Sequence, residues 1–180
     1  MQHFYAVDDI AELKSLDPQV APHVNASGYW RPGDGGGGVF HWDAASEEPV
    51  DDGFVFSSGK PQGRWVRQTS GVIDIRQFGA RGDGSAAGTR IQAALDRAEG
   101  GASVYVPSGR YLVSEPLRVP QGVHLYGDGL FSEIHYKGEA GSGCLMSSKP
   151  AVSQAMAFSR LNIFLHNQRT WGFDLRGISF

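Results

Sequence analysis

Most apolar positions of this chain alternate with polar ones over three to five residues, which is the pattern of β-strands. Helical spacing occurs near the start, at residues 9–16, where Asp9 and Glu12 form a capping-box pattern. Pro18 sets the end of this segment, because a residue that precedes proline avoids the helical region. The pattern therefore predicts one short helix before any strand-rich region.

A second helix is predicted over residues 91–98, where small and large apolar residues recur at i, i+3, i+4 and i+7. The apolar stripe consists of Ile91, Ala94, Leu95 and Ala98. Gly100 and Gly101 come directly after it and predict where this helix stops.

Residues 21–68 combine short alternating runs with glycine-rich turns. The candidate strands are residues 39–42, 54–56 and 64–67. They predict a small antiparallel β unit, which is too small to be very stable alone. We expect it to pack on the next part of the chain or on another copy of itself.

After residue 71 the pattern predicts a strand at 72–79, a tight loop at 80–84, the second helix, and then strands without interruption. The later candidates are residues 104–106, 111–113, 117–119, 123–126, 134–136, 161–165 and 173–178. Strands this short, separated by Pro, Gly or Ser, are typical of a solenoid whose coils take twenty or more residues. The prediction is an all-β chain with two domains, at residues 1–70 and 71–180.

Residues 73–129 resemble the N-terminal entry of pectate-lyase-like, right-handed parallel β-helix proteins. Seven elements occur in order: a strand, Phe-Gly-Ala-Arg-Gly-Asp-Gly at 78–84, Ile-Gln-Ala-Ala-Leu at 91–95, a Gly pair, Val-Tyr-Val-Pro at 104–107, Gly-Arg-Tyr-Leu at 109–112, and Val-His-Leu-Tyr-Gly-Asp-Gly at 123–129. The sequence departs from the family at residues 85–89, where acidic residues are more usual, and this weakens the helix start. The resemblance implies that the helix at 91–98 covers the open end of the first coil.

Residues 28–43, with the closing Gly-Arg-Trp-Val-Arg at 63–67, resemble a segment that often precedes such β-helices in phage tailspikes. Residues 1–70 would then be an attachment and oligomerisation unit, and residues 71–180 the capped start of the β-helix. The pattern at 174–180 is a strand entering a turn. Because a solenoid needs a cap, we expect this chain to be the front part of a longer one, or to be covered there by another chain.

Charge and composition limit the kinds of partner that we expect this chain to have. The net charge is −3 and no basic run occurs, which argues against nucleic acid binding. No stretch approaches the length of a membrane span, and the first residues lack the pattern of a signal peptide. The single Cys144 excludes an internal disulfide.

Candidate chemistry is sparse in the sequence. The glycine run at 35–38 lacks the Lys-Ser/Thr of a phosphate loop, and no two of the six histidines have metal-ligand spacing, so neither a cofactor nor a metal is expected. Carboxylates are available at Asp74, Glu115, Glu133 and Asp174, but the sequence cannot pair them for sugar chemistry. Asp83 and Asp128 are interpreted as turn formers.

No catalytic residue is therefore assigned. Trp42 and Trp65 are interpreted as anchors of the small β unit. Trp171, near the end of the last coils, is the candidate carbohydrate contact.

The resemblance implies the N-terminal portion of a bacteriophage or phage-derived tailspike in the virion tail, acting at the host cell surface. Its expected partners are two further copies in a homotrimer, a phage tail or baseplate protein, and bacterial surface polysaccharide. The parent protein would depolymerise that polysaccharide as a glycosidase or lyase, with an active site that this chain does not complete. Two alternatives stay open: a bacterial β-helical lyase, hydrolase or epimerase, and a carbohydrate-binding module without chemistry.

Overall fold

The computed structural model describes residues 5–69, 71–147 and 156–174. They form two compact units. The first unit consists of the described residues of Met1–Ser70 together with Arg76–Gly79. The second unit consists of the described residues of Gly71–Ile75 and Ala80–Phe180. The segment 76–79 therefore packs with the first unit although it comes after the start of the second in the chain.

A five-stranded sheet forms the first unit. Its strands are β1 (Tyr5–Val7), β2 (His23–Ala26), β3 (Gly38–Asp43), β4 (Val55–Phe56) and β5 (Arg64–Arg67). Their order in the sheet is β1-β2-β3-β5-β4. The predicted antiparallel pairing is confirmed for β3, β5 and β4. β2, which was not predicted, also pairs antiparallel to β3, while β1 pairs parallel to β2.

The helix α1 (Ile10–Ser15) lies between β1 and β2. The predicted capping pattern is confirmed, because the Glu12 amide donates to Asp9 Oδ1 at 2.9 Å. In return Glu12 Oε2 accepts from the Asp8 amide at 2.8 Å. This cap satisfies donors that a helix start otherwise leaves open.

Aromatic rings fill the core of the first unit. Trp65 is fully buried, with Trp42 packed edge-on against it at 5.3 Å, so the predicted anchor role of both is confirmed. Arg67 is buried in the same region with its guanidinium 4.6 Å from the Phe40 ring. It donates to the carbonyl oxygens of Gly36, Gly37 and Gly53. The charge is thus held by peptide oxygens and an aromatic face.

The glycine-rich loop between β2 and β3 is organised by a carboxylate. Asp34 accepts from the amides of Tyr29, Trp30 and Gly36 at 2.7 to 2.9 Å. A Cβ added at Gly37 would lie 2.3 Å from the Ala26 carbonyl oxygen, so the loop requires glycine to approach β2. The run is a packed turn between strands, as the sequence predicts.

Three parallel sheets form the second unit, each built from one strand per coil. The strands are β6 (Val72–Asp74), β7 (Asp83–Ala86), β8 (Ser103–Val106), β9 (Gly109–Val113), β10 (Leu117–Val119), β11 (His124–Gly127), β12 (Ser132–Tyr136), β13 (Gly143–Ser147), β14 (Ala157–Ser159), β15 (Asn162–Leu165) and β16 (Trp171–Asp174). The sheet orders are β14-β11-β8-β6, β15-β12-β9-β7 and β10-β13-β16. The predicted parallel β-helix is confirmed.

Apolar side chains stack in ladders along the inside of the coils. Ile73, Val104 and Leu125 are buried neighbours in register across β6, β8 and β11. Val104 pairs with Leu125 one coil later, a spacing of 21 residues, and the preceding coil from Ile73 to Val104 takes 31, which agrees with the predicted length of twenty or more. The next coil is longer, because Leu125 pairs with Phe158.

The helix α2 (Gly88–Arg97) comes after β7 and packs against β9 and β10 of the first full coil. It buries Ile91, Ala94 and Leu95, which confirms the predicted apolar stripe. Its N-cap is Ala87, which makes no side-chain capping bond. The weak start expected from residues 85–89 is therefore present.

Some predicted elements differ from the structure. The strand predicted at 72–79 ends at Asp74, and Ile75–Phe78 form a 3-10 helix. Phe78 turns away there to pack on Phe54 at 5.7 Å. The predicted loop at 80–84 is shorter, because β7 already begins at Asp83. The strand predicted at 173–178 is present to Asp174, and its remainder lies outside the described residues.

Candidate functional site

One outward face of the β-helix carries a row of polar side chains on successive coils. In register across β7, β9, β12 and β15 lie Asp83, Arg110, Glu133 and Asn162. Successive side chains of a strand point to opposite faces, and neighbouring strands lie about 4.8 Å apart. The buried Tyr111 and Ile134 hold the inward positions next to this row, so the polar residues face outward.

Glu133 lies at the centre of the row. Its Oε2 accepts from His135 Nε2 at 2.9 Å and from Arg110 Nε at 3.4 Å. The hydrogen bond from His135, together with Arg110, holds the pKa of Glu133 below its usual range. This carboxylate is therefore ionised near neutral pH.

The two histidines His135 and His166, distant in sequence, meet beside this carboxylate. His135 Nδ1 lies 2.9 Å from His166 Nε2. Because an ionised carboxylate can only accept, Nε2 of His135 donates to Glu133. A neutral His135 then accepts at Nδ1 from His166. Glu133, His135 and His166 thus form a chain of hydrogen bonds that can hold and pass a proton. The spacing of the histidines along the sequence did not indicate the contact between His135 and His166.

An aromatic ring borders the same row. Phe164, on β15, stacks on His135 with ring centres 4.7 Å apart and planes 15° apart. It remains 42% exposed. Asn162 is fixed by a 3.0 Å bond from its Nδ2 to the Leu130 carbonyl oxygen. We call Arg110, Glu133, His135, Asn162, Phe164 and His166 the outward cluster.

Asp128 does more than form a turn. Its carboxylate accepts from the Tyr105 hydroxyl at 2.8 Å and from the amide and hydroxyl of Ser108 at 2.8 and 3.0 Å. These bonds, led by that of Tyr105, lower the pKa of Asp128. Asp128 thus fastens two successive coils. Asp83 makes a local bond instead, accepting from the Ser85 amide at 3.0 Å, in line with the turn-former interpretation.

The other candidates from the sequence lie apart from the outward cluster. Trp171 begins β16 on a different sheet and is 50% exposed. Glu115 lines a mostly apolar groove of about 400 Å³ against α2. Asp74 ends β6, and Asp174 ends β16. All four thus lie outside the sheet of β7, β9, β12 and β15, on which the cluster is built.

Two further findings concern metals and membranes. Within residues 5–69, 71–147 and 156–174, no group of three or more His, Cys, Asp or Glu side chains could hold a metal ion. In the same part of the chain, no helix is long and apolar enough to span a membrane.

The coil architecture agrees with the comparison to protein families. The model for rhamnogalacturonase A/epimerase, pectate lyase-like proteins matches residues 72–180. The chain belongs to this pectate-lyase-like family. Ahead of it, the model for the phage tail protein small four-stranded β-sheet domain matches residues 6–70. The resemblance on both sides of residue 71 is thereby confirmed.

Solved structures share the fold. The tailspike protein gp49 of Acinetobacter baumannii bacteriophage Fri1, a capsular polysaccharide depolymerase, superposes with a TM-score of 0.73 at 18% identity. That alignment covers 92% of this chain and 34% of the phage protein. Pantoea stewartii WceF, a glycan biofilm modifying enzyme with a tailspike-like parallel β-helix, gives 0.69 at 18% identity, covering 90% of this chain and 25% of the enzyme.

A curated relative matches over a shorter stretch. The probable glucan endo-1,3-beta-glucosidase of Arthroderma benhamiae is 35% identical over 77 residues, which is 42% of this chain and 9% of that protein. The chain thus spans about a third or less of the structures and under a tenth of this relative.

Proposed function

We infer that this chain is the N-terminal portion of a bacteriophage or phage-derived tailspike, located in the virion tail. The first unit attaches to a phage tail or baseplate protein, and the β-helix recognises bacterial surface polysaccharide. In the longer protein the β-helix depolymerises that polysaccharide. The observation that carries this proposal is the order of domains, with a phage tail β-sheet domain directly ahead of a β-helix.

The order of the domains also favours a tailspike over a bacterial enzyme or a binding module. A bacterial lyase, hydrolase or epimerase, or a binding module without chemistry, gives no reason for a phage tail domain at residues 6–70. A tailspike does, because it must join a particle to a receptor-binding body. The fold shared with gp49 of phage Fri1 supports the same choice.

Exposed surfaces support a homotrimer. Strands β1 and β4 lie at the two edges of the first sheet, where backbone groups can pair with another chain. In the second unit Leu130 and Phe131 are 74% and 71% exposed. Burying such adjacent apolar side chains against another protomer is favourable.

Light scattering on the purified chain tests the assembly. A tailspike predicts a species with three times the 19.4 kDa chain mass. A stable monomer, both of this chain and of its longer parent, would contradict the proposal. Incubating the parent protein with capsular or O-antigen polysaccharide then distinguishes an enzyme from a protein that only binds the polysaccharide. New reducing ends indicate a hydrolase, and an unsaturated product indicates a lyase. If neither product forms, the parent binds the polysaccharide without cleaving it.

A further inference from the structure

Two neighbouring apolar side chains are exposed at one corner of the β-helix, and an apolar groove lies at another corner. We propose that Leu130 and Phe131 of one protomer insert into the groove between α2 and the turn after β9 of the next protomer, and that this contact repeats around a homotrimer. The proposal rests on the proposed function, which supplies the trimer, and it names the two surfaces that join the β-helices.

Leu130 and Phe131, here called the knob, form the corner between β11 and β12 and are 74% and 71% exposed. The hydrogen bonds at this corner use their backbone. The Phe131 carbonyl oxygen accepts from the Gly109 amide at 2.7 Å, and the Leu130 carbonyl oxygen accepts from Asn162 Nδ2 at 3.0 Å. Residues of the coils before and after therefore hold the corner in place, while the two side chains face solvent. Because burial of large apolar side chains is favourable, such a pair indicates a contact with another protein.

The α2 groove is a cavity of about 400 Å³ between α2 and the turn that follows β9. Ala93 of α2 lines one side, and Leu112, Pro116 and Leu117 line the facing side. Cavities of about 300 Å³ or more hold drug-sized ligands, so the α2 groove has room for two large side chains. Its apolar lining matches the apolar surface of the knob.

The knob and the α2 groove lie at nearly the same level along the β-helix. The knob comes directly before β12, which pairs with β9, and the groove lies at the end of β9. The two surfaces therefore differ in level by about one strand spacing, 4.8 Å, a distance that long and aromatic side chains span. They also lie at opposite ends of strands five residues long. One protomer can thus present the knob to one neighbour and the groove to the other, as a closed ring of heterologous contacts requires.

Charge favours the same pairing. The charged side chains that line the α2 groove are both acidic, Asp96 and Glu115. Arg160 is exposed at the corner of the knob, with its Nη2 3.4 Å from the Asp128 carbonyl oxygen. The carboxylate of Asp128 is bound at 2.8 Å by the Tyr105 hydroxyl, on its own chain. A basic group beside the knob and acidic groups beside the groove steer unlike surfaces together.

Light scattering over a range of concentrations tests the two surfaces separately. The knob variant Leu130→Ser/Phe131→Ser and the groove variant Ala93→Lys should each raise the concentration at which half of the chain is trimeric by at least about tenfold. Two controls should leave it unchanged: Val20→Ser, a similarly exposed apolar residue of the first unit, and Gln121→Lys, which adds the same charge at an exposed turn. Far-UV circular dichroism checks that each variant is folded.

Mixing the two variants distinguishes a contact of knob with groove from a contact between two knobs. The knob variant keeps an intact groove and the groove variant keeps an intact knob, so each pair of unlike chains can form one contact. Native mass spectrometry, with one variant labelled with ¹⁵N, should show the heterodimer at concentrations where each variant alone is monomeric.

Three results would overturn the pairing of knob and groove. These are a trimer of the knob or groove variant as stable as that of the unchanged chain, an equal loss in Val20→Ser, and a mixture that stays monomeric. In each case the unchanged chain is still a trimer, so the tailspike proposal stands. If the unchanged chain is a monomer, the same variants are measured in the longer parent. A parent that is monomeric as well contradicts the tailspike proposal, and this pairing with it.

Discussion

The two units hold their cores together in different ways. In the first unit a single buried guanidinium, that of Arg67, binds three glycine carbonyls from two loops, Gly36 and Gly37 in one and Gly53 in the other. In the second unit the same kind of apolar contact is repeated from coil to coil, as at Ile73, Val104 and Leu125. The first unit thus has one buried polar centre that joins separate loops, whereas the β-helix repeats one kind of apolar contact along its length.

Replacing Arg67 by Met should have the largest effect. The variant leaves the buried carbonyls of Gly36, Gly37 and Gly53 without their donor, at about 1–3 kcal/mol for each unsatisfied group. We expect the free energy of unfolding of the first unit to fall by about 4 kcal/mol. Urea denaturation followed by tryptophan fluorescence measures this change mainly in the first unit, because it contains Trp30, Trp42 and Trp65, three of the four tryptophans.

The matched control is Arg64→Met. Arg64 lies on the same strand, and its bonds to the carbonyls of Gly63 and Glu48 are more exposed. An equal loss in the two variants would contradict the view that burial of Arg67 is what matters.

Replacing Leu125 by Ala should be the next largest change. Leu125 is fully buried between Val104 and the next coil. The lost methylene groups and the cavity left behind cost about 3 kcal/mol. Far-UV circular dichroism during urea unfolding measures this loss, with Arg118→Ala as the control because Arg118 is exposed on β10. If both variants unfold at the same urea concentration, the ladder does not carry the stability of the β-helix.

A third, smaller effect concerns Asp34 and pH. Burial opposes its ionisation, but bonds from the amides of Trp30, Tyr29, Gly36 and Arg31 outweigh burial and lower its pKa. The ionised form is therefore favoured in the folded state. Its contribution is present above the unfolded pKa, about 4, and is lost as the pH falls through the lower folded value.

Asp34→Asn should therefore destabilise the first unit by about 1 kcal/mol at pH 7 and by less at low pH. Tryptophan fluorescence in urea at several pH values measures this difference. A penalty that does not shrink on acidification would contradict the assignment.

The smallest predicted effect lies at the start of α1. Asp9→Ala removes the acceptor for the Glu12 amide and should cost about 1 kcal/mol or less. Asp8→Ala is the control, because Asp8 bonds to Glu12 through its backbone amide, which survives the change. Equal midpoints of urea unfolding for Asp9→Ala and the unchanged chain would mean that the cap contributes nothing.

Local patterns in the sequence were sufficient for most elements. The cap at Asp9 and the stripe of α2 were predicted because each depends on residues three or four apart. Strands β1, β2, β7, β13 and β14 were not individually predicted. In β7, Asp-Gly-Ser-Ala has no apolar alternation, and its place in the sheet comes from pairing with β9. The 3-10 turn at 75–78 depends on a distant ring, that of Phe54, which local propensity does not contain.

The sequence by itself therefore determined the architecture and the order of the two units, because these depend on short-range periodicity, turn residues and ordered motifs. The tertiary structure alone decided which side chains meet on the outward face. The coils differ in length, so the register that sets Glu133 beside Arg110 and Asn162 depends on how each connecting loop folds. That register brought His135 to His166 and left Trp171 on another sheet.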